Sequence, residues 1–181
     1  MLKEMIFSGF GGQGVLSMGK LLAYAAMKEG KEVSWMPSYG PEMRGGTANC
    51  VVNISDRQIS SPIVTEFDVV VVLNQPSLDK FEPRVKKGGT LIWESTTIKK
   101  GPTRDDIHAV ALPAIDTATN ELKNIKVMNM LVLGALVKLE PIVNRESLIT
   151  ALKDTLPKRY HNLIPLNEEA IEMGMSLVKE N

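Results

Sequence analysis

The sequence predicts an α/β fold with three layers, α/β/α, around a mostly parallel mixed sheet that includes one antiparallel hairpin. Residues 8–15 (SGFGGQGV) follow an apolar run and lead into apolar positions at helical spacing. This is a Rossmann-like order of strand, turn and helix. Residues 69–72 are four consecutive valines, which is typical of a central parallel strand covered on both faces. Strands and helical segments alternate along the rest of the chain, as they do in layered α/β domains.

The other elements follow from local patterns. A second strand is predicted at residues 33–36, after Gly30 ends the first helix. Residues 47–54 alternate as a strand does, and residues 59–62 are predicted to return against them as the antiparallel hairpin. Asn167 is predicted to cap the last helix. Further strands are predicted at residues 90–94 and 109–112, and further helices at 77–85, 113–122, 129–138 and 145–154.

Length and hydrophobicity indicate the class of protein. A chain of 181 residues with 44% hydrophobic residues is expected to form one domain, residues 1–181. No segment approaches the roughly 18 unbroken apolar residues that a membrane helix needs. Residues 1–4 lead directly into the first strand and leave no room for a signal peptide, so we expect a cytoplasmic protein.

Charge and cysteine content exclude several functions. The 21 basic residues cancel the 21 acidic ones, so nucleic acid and membrane surfaces are not expected partners. The single cysteine, Cys50, cannot form an internal disulfide or supply the roughly four thiolates of an iron–sulfur cluster. Two histidines cannot form a three-histidine metal site. We therefore assign no catalytic residue and no metal site to this chain.

The glycine-rich turn has three possible interpretations. Gly9, Gly11 and Gly14 match the spacing of a dinucleotide-binding turn, G-x-G-x-x-G. Such a site also needs an acidic residue at the end of the second strand to hold the ribose, but here that strand ends in Trp35-Met36-Pro37. The turn is therefore an NAD site without its ribose anchor, a tight turn without a ligand, or a turn that meets a phosphate-bearing molecule or a partner subunit.

Two other segments are candidates for binding. Residues 37–46 (PSYGPEMRGG) contain two prolines and three glycines, which predicts an ordered, polar loop at the carboxyl end of a strand. Residues 156–162 are basic and partly aromatic. They form either a solvated loop or a site for the phosphates of a large cofactor.

These motifs together resemble a known family. Residues 11–14 (GGQG) after the first strand, and then residues 38–46 (SYGPEMRGG), look like the gamma subunit of 2-oxoacid:ferredoxin oxidoreductases. The likeness continues through residues 61–62, 68–72, 129–135 and 167–174, and so covers nearly the whole chain. The Ser-Tyr-Gly-Pro-Glu form of the loop looks closest to the 2-oxoglutarate branch, with the pyruvate, 2-oxoisovalerate and indolepyruvate enzymes as neighbours.

The resemblance implies a non-autonomous subunit of an oxidoreductase. In this family a 2-oxoacid and coenzyme A give an acyl-CoA, carbon dioxide and reduced ferredoxin. Thiamine diphosphate, magnesium and iron–sulfur clusters are then expected on partner subunits, and no cofactor is bound by this chain alone. The implied partners are alpha, beta and ferredoxin-like delta subunits, ferredoxin and coenzyme A.

The expected site combines the glycine turn with the loop at one edge of the sheet, facing the assembled active centre. Arg44 would offer its guanidinium to a carboxylate or phosphate, and Glu42 would orient it. A pure interface, an assembly scaffold and a freestanding nucleotide-binding or regulatory module remain as alternatives. The candidate cofactor-binding residues are Gly9, Gly11, Gly12, Gln13, Gly14, Ser38, Tyr39, Glu42, Arg44, Gly45 and Gly46.

Overall fold

A computed structural model describes residues 1–39 and 46–179, in which six strands form one sheet in the order β2-β3-β1-β4-β5-β6. The strands are β1 (Leu2–Phe10), β2 (Glu32–Tyr39), β3 (Thr47–Ser55), β4 (Phe67–Val72), β5 (Val85–Glu94) and β6 (His108–Leu112). The helices are α1 (Val15–Lys28), α2 (Gln75–Phe81), α3 (Ala114–Asn120), α4 (Met128–Leu139), α5 (Arg145–Thr155) and α6 (Ile164–Ser176). Short 3-10 helices span Glu82–Arg84, Ile125–Val127 and Lys158–Leu163.

The sheet is mixed and mostly parallel, as predicted. Strands β1, β4, β5 and β6 pair in parallel, whereas β3 is antiparallel to both of its neighbours, β1 and β2. Strand β3 forms an antiparallel hairpin as predicted, but it pairs with a different segment from the predicted one. Strand β3 pairs with the preceding β2, from Glu32 opposite Ser55 to Tyr39 opposite Ala48. The predicted return strand at residues 59–62 is wrong, because β2 and β1 already occupy both sides of β3.

Strand β2 is longer than the sequence indicates. We predicted that the loop begins at Pro37, but Pro37, Ser38 and Tyr39 continue the strand opposite β3. Proline is tolerated there because β2 is the outermost strand of the sheet, where a missing N–H need not break a ladder on the second side.

Two apolar cores of unequal size lie on the two faces of the sheet, which confirms the three-layer arrangement. Helices α1, α3, α4, α5 and α6 cover one face, with Leu22 and Leu131 among the buried residues. Helix α2 and the adjoining loops cover the other face around Phe67, Leu78 and Phe81. No helix in the described part of the chain combines the length and apolar character that a membrane crossing requires.

The last helix begins earlier than predicted. The 3-10 helix Lys158–Leu163 runs directly into α6, so the side chain of Asn167 lies inside the helix. Its Nδ2 donates to the carbonyl oxygen of Leu163 at 2.7 Å instead of capping the first turn. The prediction failed because the preceding 3-10 turn, which local sequence did not indicate, supplies the start of the helix.

Candidate functional site

The glycine turn closes the carboxyl end of β1 and begins α1. Gly12 and Gly14 have φ angles of 94° and 76°, in the left-handed region that favours glycine, and Gly14 is the N-cap of α1. The oxygen and the nitrogen of the Gln13 side-chain amide each form a hydrogen bond that fixes the turn. Its Oε1 accepts from the N–H of Phe10 at 2.7 Å, and its Nε2 donates to the carbonyl oxygen of Leu73 at 3.2 Å. The turn is therefore tied both to β1 and to the residue that follows β4.

Gly9 lies beneath this same amide. A Cβ added at Gly9 would come within 2.6 Å of Oε1 of Gln13 and 3.1 Å of Cβ of Leu73. Close packing inside the turn thus requires glycine at this position, without any need for a ligand.

Both described ends of the predicted loop lie beside the turn. The N–H of Gly11 donates to the carbonyl oxygen of Gly46 at 3.0 Å. On the other side, Tyr39 is opposite Ala48, which in turn is opposite Gly9. The prediction that turn and loop share one edge of the sheet is confirmed for these ends.

The other predicted loop residues divide into two groups. Ser38 and Tyr39 are exposed on β2, and 69% of the surface of Tyr39 is accessible. Glu42, Arg44 and Gly45 lie outside the described residues. The described part of the site therefore comprises the glycine turn, Gly46 and the end of β2.

The strand order gives no position for the ribose anchor of a dinucleotide site. In a dinucleotide-binding fold, the second strand runs parallel to β1 as its direct neighbour, and its acidic end reaches the ribose. Here the antiparallel β3 separates β2 from β1. The Rossmann-like geometry is thus limited to the first strand, the turn and the helix.

A cavity of about 230 Å³ lies beside the turn. Asn129, at the start of α4, lines the cavity and packs against Gly14, because a Cβ at Gly14 would come within 2.6 Å of its Nδ2. Lys126 also lines the cavity, and sequence reasoning missed it because nothing local distinguishes it from other lysines. The lining comprises Gly12, Gln13, Gly14, Ile115, Ile125, Lys126, Met128 and Asn129.

A buried carboxylate holds the neighbouring strand end in place. The two oxygens of Glu94 accept from the N–H groups of Thr96, Thr97 and Ile115 and from the Thr97 hydroxyl, at 2.8–3.2 Å. Burial by itself would raise the pKa of Glu94, but these hydrogen bonds outweigh burial and lower it below its ordinary value. Glu94 therefore fixes the start of α3, and with it Ile115 in the wall of the cavity.

The thiol of Cys50 and the hydroxyls of Ser8 and Ser77 are buried beneath the surface. Burial raises the pKa of Cys50 to about 12, so its thiol is neutral near pH 7. The hydroxyls of Ser8 and Ser77 lie 2.8 Å apart, and both residues are buried. Within residues 1–39 and 46–179, no group of three or more histidine, cysteine or acidic side chains is placed to hold a metal ion. With one cysteine in the sequence, the chain cannot supply the roughly four thiolates of an iron–sulfur cluster.

Comparison with known proteins identifies the family. Residues 4–177 match the family described as pyruvate ferredoxin/flavodoxin oxidoreductase. This chain belongs to that family. The crystal structure of a keto/oxoacid ferredoxin oxidoreductase gamma subunit from Geobacter sulfurreducens is similar, with a TM-score of 0.85 and 33% identity over 97% of this chain and 95% of that one.

Two curated proteins from methanogens are also similar to this chain. Ketoisovalerate oxidoreductase subunit VorA of Methanothermobacter thermautotrophicus is 41% identical over 96% of this chain, which spans only 36% of VorA. The 2-oxoglutarate synthase subunit KorC of Methanocaldococcus jannaschii is 38% identical over 87% of this chain and 86% of KorC. The matched region is thus most of KorC but about a third of the longer VorA.

Proposed function

We propose that this chain is a single-domain gamma subunit of a multi-subunit 2-oxoacid:ferredoxin oxidoreductase. The complex would convert a 2-oxoacid and coenzyme A to an acyl-CoA and carbon dioxide, and would pass the electrons to ferredoxin. The observation that carries this proposal is the end-to-end similarity to a gamma subunit of known structure. The match to KorC over most of both chains supports the same assignment.

The chain would complete the assembly without carrying the reactive centre. Alpha, beta and ferredoxin-like delta subunits would hold the thiamine diphosphate, the magnesium and the iron–sulfur clusters. Apolar side chains at the edge of the sheet support a docking role. Trp35, Met36 and Tyr39 are all exposed on the outer strand β2. An outer strand that carries such residues favours association with another chain.

We further propose that the turn and the loop contact coenzyme A. Among the described residues no side chain caps α1 at Gly14, and the first turn of α1 presents N–H groups and the positive end of its dipole. The bond between Gly11 and Gly46 brings the end of the loop to this point. Arg44 would then bind a phosphate or carboxylate of coenzyme A or of a partner, with Glu42 orienting it.

We propose 2-oxoglutarate as the substrate. The sequence Ser-Tyr-Gly-Pro-Glu at residues 38–42 supports this choice, because it resembles the 2-oxoglutarate branch of the family. The match to a 2-oxoglutarate synthase subunit over most of the length of that subunit supports it as well. The higher identity to a ketoisovalerate oxidoreductase subunit makes 2-oxoisovalerate the main competitor.

Reconstitution of the complex with and without this chain tests the proposal. We expect coenzyme A-dependent ferredoxin reduction only when the chain is present, and fastest with 2-oxoglutarate among four acids that include pyruvate, 2-oxoisovalerate and indolepyruvate. Faster turnover of another acid would contradict the substrate assignment. A chain that purifies from its native source without partners, and adds nothing to the activity, would instead support a freestanding nucleotide-binding module.

A separate comparison tests Arg44. Arg44→Ala should raise the KM for coenzyme A about tenfold, which corresponds to the loss of one charge-assisted hydrogen bond. Arg57→Ala is the matched control, because Arg57 is exposed beyond the end of β3, at the edge of the sheet opposite the turn. Unchanged assembly and an unchanged KM in Arg44→Ala would remove the proposed contact.

A further inference from the structure

A groove of about 510 Å³ lies on the helical side of the molecule. It runs between α1, the 3-10 helix Ile125–Val127, the end of α5, the 3-10 helix Lys158–Leu163 and α6. Leu21, Leu152 and Met130 contribute buried apolar surface to it. Its volume is within the range of roughly 300–1,000 Å³ that is common for small-molecule sites.

The groove continues into the cavity beside the glycine turn. Lys126 and Asn129 line both spaces, so the two meet at these side chains. Oδ1 of Asn129 accepts from the N–H of Met130 at 3.0 Å, which leaves its Nδ2 as the available donor. The combined space is elongated, with polar donors at the junction and apolar surface beyond it.

The charged side chains that line the groove are all basic. Lys20 and Lys126 line the groove, whereas none of its described lining residues is acidic. The amino group of Lys126 forms no hydrogen bond or ion pair with the part of the chain that the structure describes, and that of Lys20 lies 5.8 Å from the centre of the Tyr24 ring. Other lysines do have acidic partners; Lys86, for example, contacts Glu4 at 2.7 Å. The groove therefore holds two lysine ammonium groups that have no ion-pair partner among the described residues, in a chain with no net charge.

The basic segment at residues 156–162 contributes mainly apolar and aromatic surface. Leu156, Pro157 and Tyr160 line the groove. Arg159 lies over the Tyr160 ring at 4.8 Å, and a ring nitrogen of His161 is 2.9 Å from the carbonyl oxygen of Leu156. This segment can thus face the body of a ligand through Tyr160 while the phosphate binds elsewhere, near Lys126.

We propose that this groove binds a phosphorylated organic anion of nucleotide size. The phosphate lies at the junction, near Lys126 and Asn129, and the organic body lies along the apolar surface toward Tyr160. A free nucleotide and the nucleotide part of coenzyme A share this chemistry. The binding step involves no partner subunit. Its failure is therefore distinguishable from failure of the proposed subunit role, which is measured by the activity of the complex.

Calorimetric titration of the full chain tests the inference, with ADP, coenzyme A, adenosine and inorganic phosphate as probes. We expect ADP or coenzyme A to bind at least tenfold more tightly than both adenosine and inorganic phosphate. Lys126→Ala and Lys20→Ala should each weaken that binding about tenfold, as expected when one charge-assisted contact is lost. Lys87→Ala is the matched control, because Lys87 is exposed near the beginning of β5 and does not line the groove.

A blocking variant separates the groove from general surface attraction. Ser17 is exposed on α1 and lines the groove, so Ser17→Trp should fill the space and abolish binding while circular dichroism shows an unchanged fold. If ADP binds more tightly, the ligand is a free nucleotide; if coenzyme A binds more tightly, the groove holds the nucleotide part of coenzyme A. The inference is overturned if neither binds up to millimolar concentration, if Lys87→Ala weakens binding as much as Lys126→Ala, if inorganic phosphate binds as tightly as ADP, or if Ser17→Trp binds normally.

Discussion

Replacing Gly14 by alanine tests how closely the glycine turn is held against α4. Gly12→Ala is a matched comparison in the same turn, because both residues have left-handed φ angles, 76° and 94°. A Cβ at Gly12 would meet nothing within 4 Å. A Cβ at Gly14 would meet Nδ2, Cγ and Cβ of Asn129 at 2.6, 2.9 and 3.0 Å. The two variants therefore share a backbone penalty and differ in one packing overlap.

The structure gives the expected magnitudes. The left-handed conformation costs an alanine about 1–2 kcal/mol, so Gly12→Ala should lower the free energy of unfolding by about that amount. In Gly14→Ala the side chain of Asn129 must also rotate, which breaks its hydrogen bond with the N–H of Met130 at a cost of about 1 kcal/mol. A displaced rotamer adds about 0.5–1.5 kcal/mol. We expect Gly14→Ala to be about 2 kcal/mol less stable than Gly12→Ala.

Urea denaturation at 25 °C, followed by circular dichroism, measures this difference. Asn129→Ala in the Gly14→Ala background removes the contacts at 2.6 and 2.9 Å and should recover about half of the extra loss. Equal stabilities of Gly12→Ala and Gly14→Ala would refute the proposed packing of Asn129 against the turn.

Three other variants or treatments test separate parts of the structure. Gly174→Ala places a Cβ against the carbonyl oxygen of Leu131 where α6 crosses α4, and should lower the free energy of unfolding by about 3 kcal/mol; a change below about 0.5 kcal/mol in urea denaturation would contradict this close crossing. Glu94→Gln should cost about 1–3 kcal/mol at pH 7. The pKa of Glu94 in the folded state is below its ordinary value of 4.5. The contribution of Glu94 to the free energy of unfolding is therefore present above pH 4.5 and is lost as the pH falls through the folded-state pKa. Parallel curves of stability against pH for wild type and variant, from about pH 7 to about pH 3, would rule this out. Cys50, with its pKa raised to about 12, should react with a thiol reagent at pH 8 at least about a hundredfold more slowly in the folded protein than in guanidinium chloride, and rapid labelling of the folded chain would show that the thiol is accessible.

The glycine turn could be predicted because its signals are local. Glycines at fixed spacing between an apolar run and a helical pattern lie within a few residues of one another, and so does the valine run of β4. The hairpin was assigned the wrong partner because strand pairing depends on which strands occupy each side of β3. Residues 32–39 and residues 59–62 were both near enough in sequence to pair with it, and only the sheet order distinguishes them.

The candidate site shows the same division. The sequence identified the turn and the loop, and their common edge followed from the rule that loops at the carboxyl ends of strands meet there. It could not indicate that Asn129 packs against Gly14, because 115 positions separate these residues. Nor could it distinguish Lys126 from any other lysine, since its place at the junction of two cavities depends on how α1, α4 and α6 pack together.

The sequence by itself determined the class of fold, the position of the turn and most of the helices and strands, because backbone preference and hydrophobic period act over a few residues. The tertiary structure decided the order of the strands, the contact between Gly11 and Gly46, and the groove that Lys20 and Lys126 line. Each of these depends on how segments that are distant in sequence pack together and bury apolar surface. No short stretch of the chain contains that information.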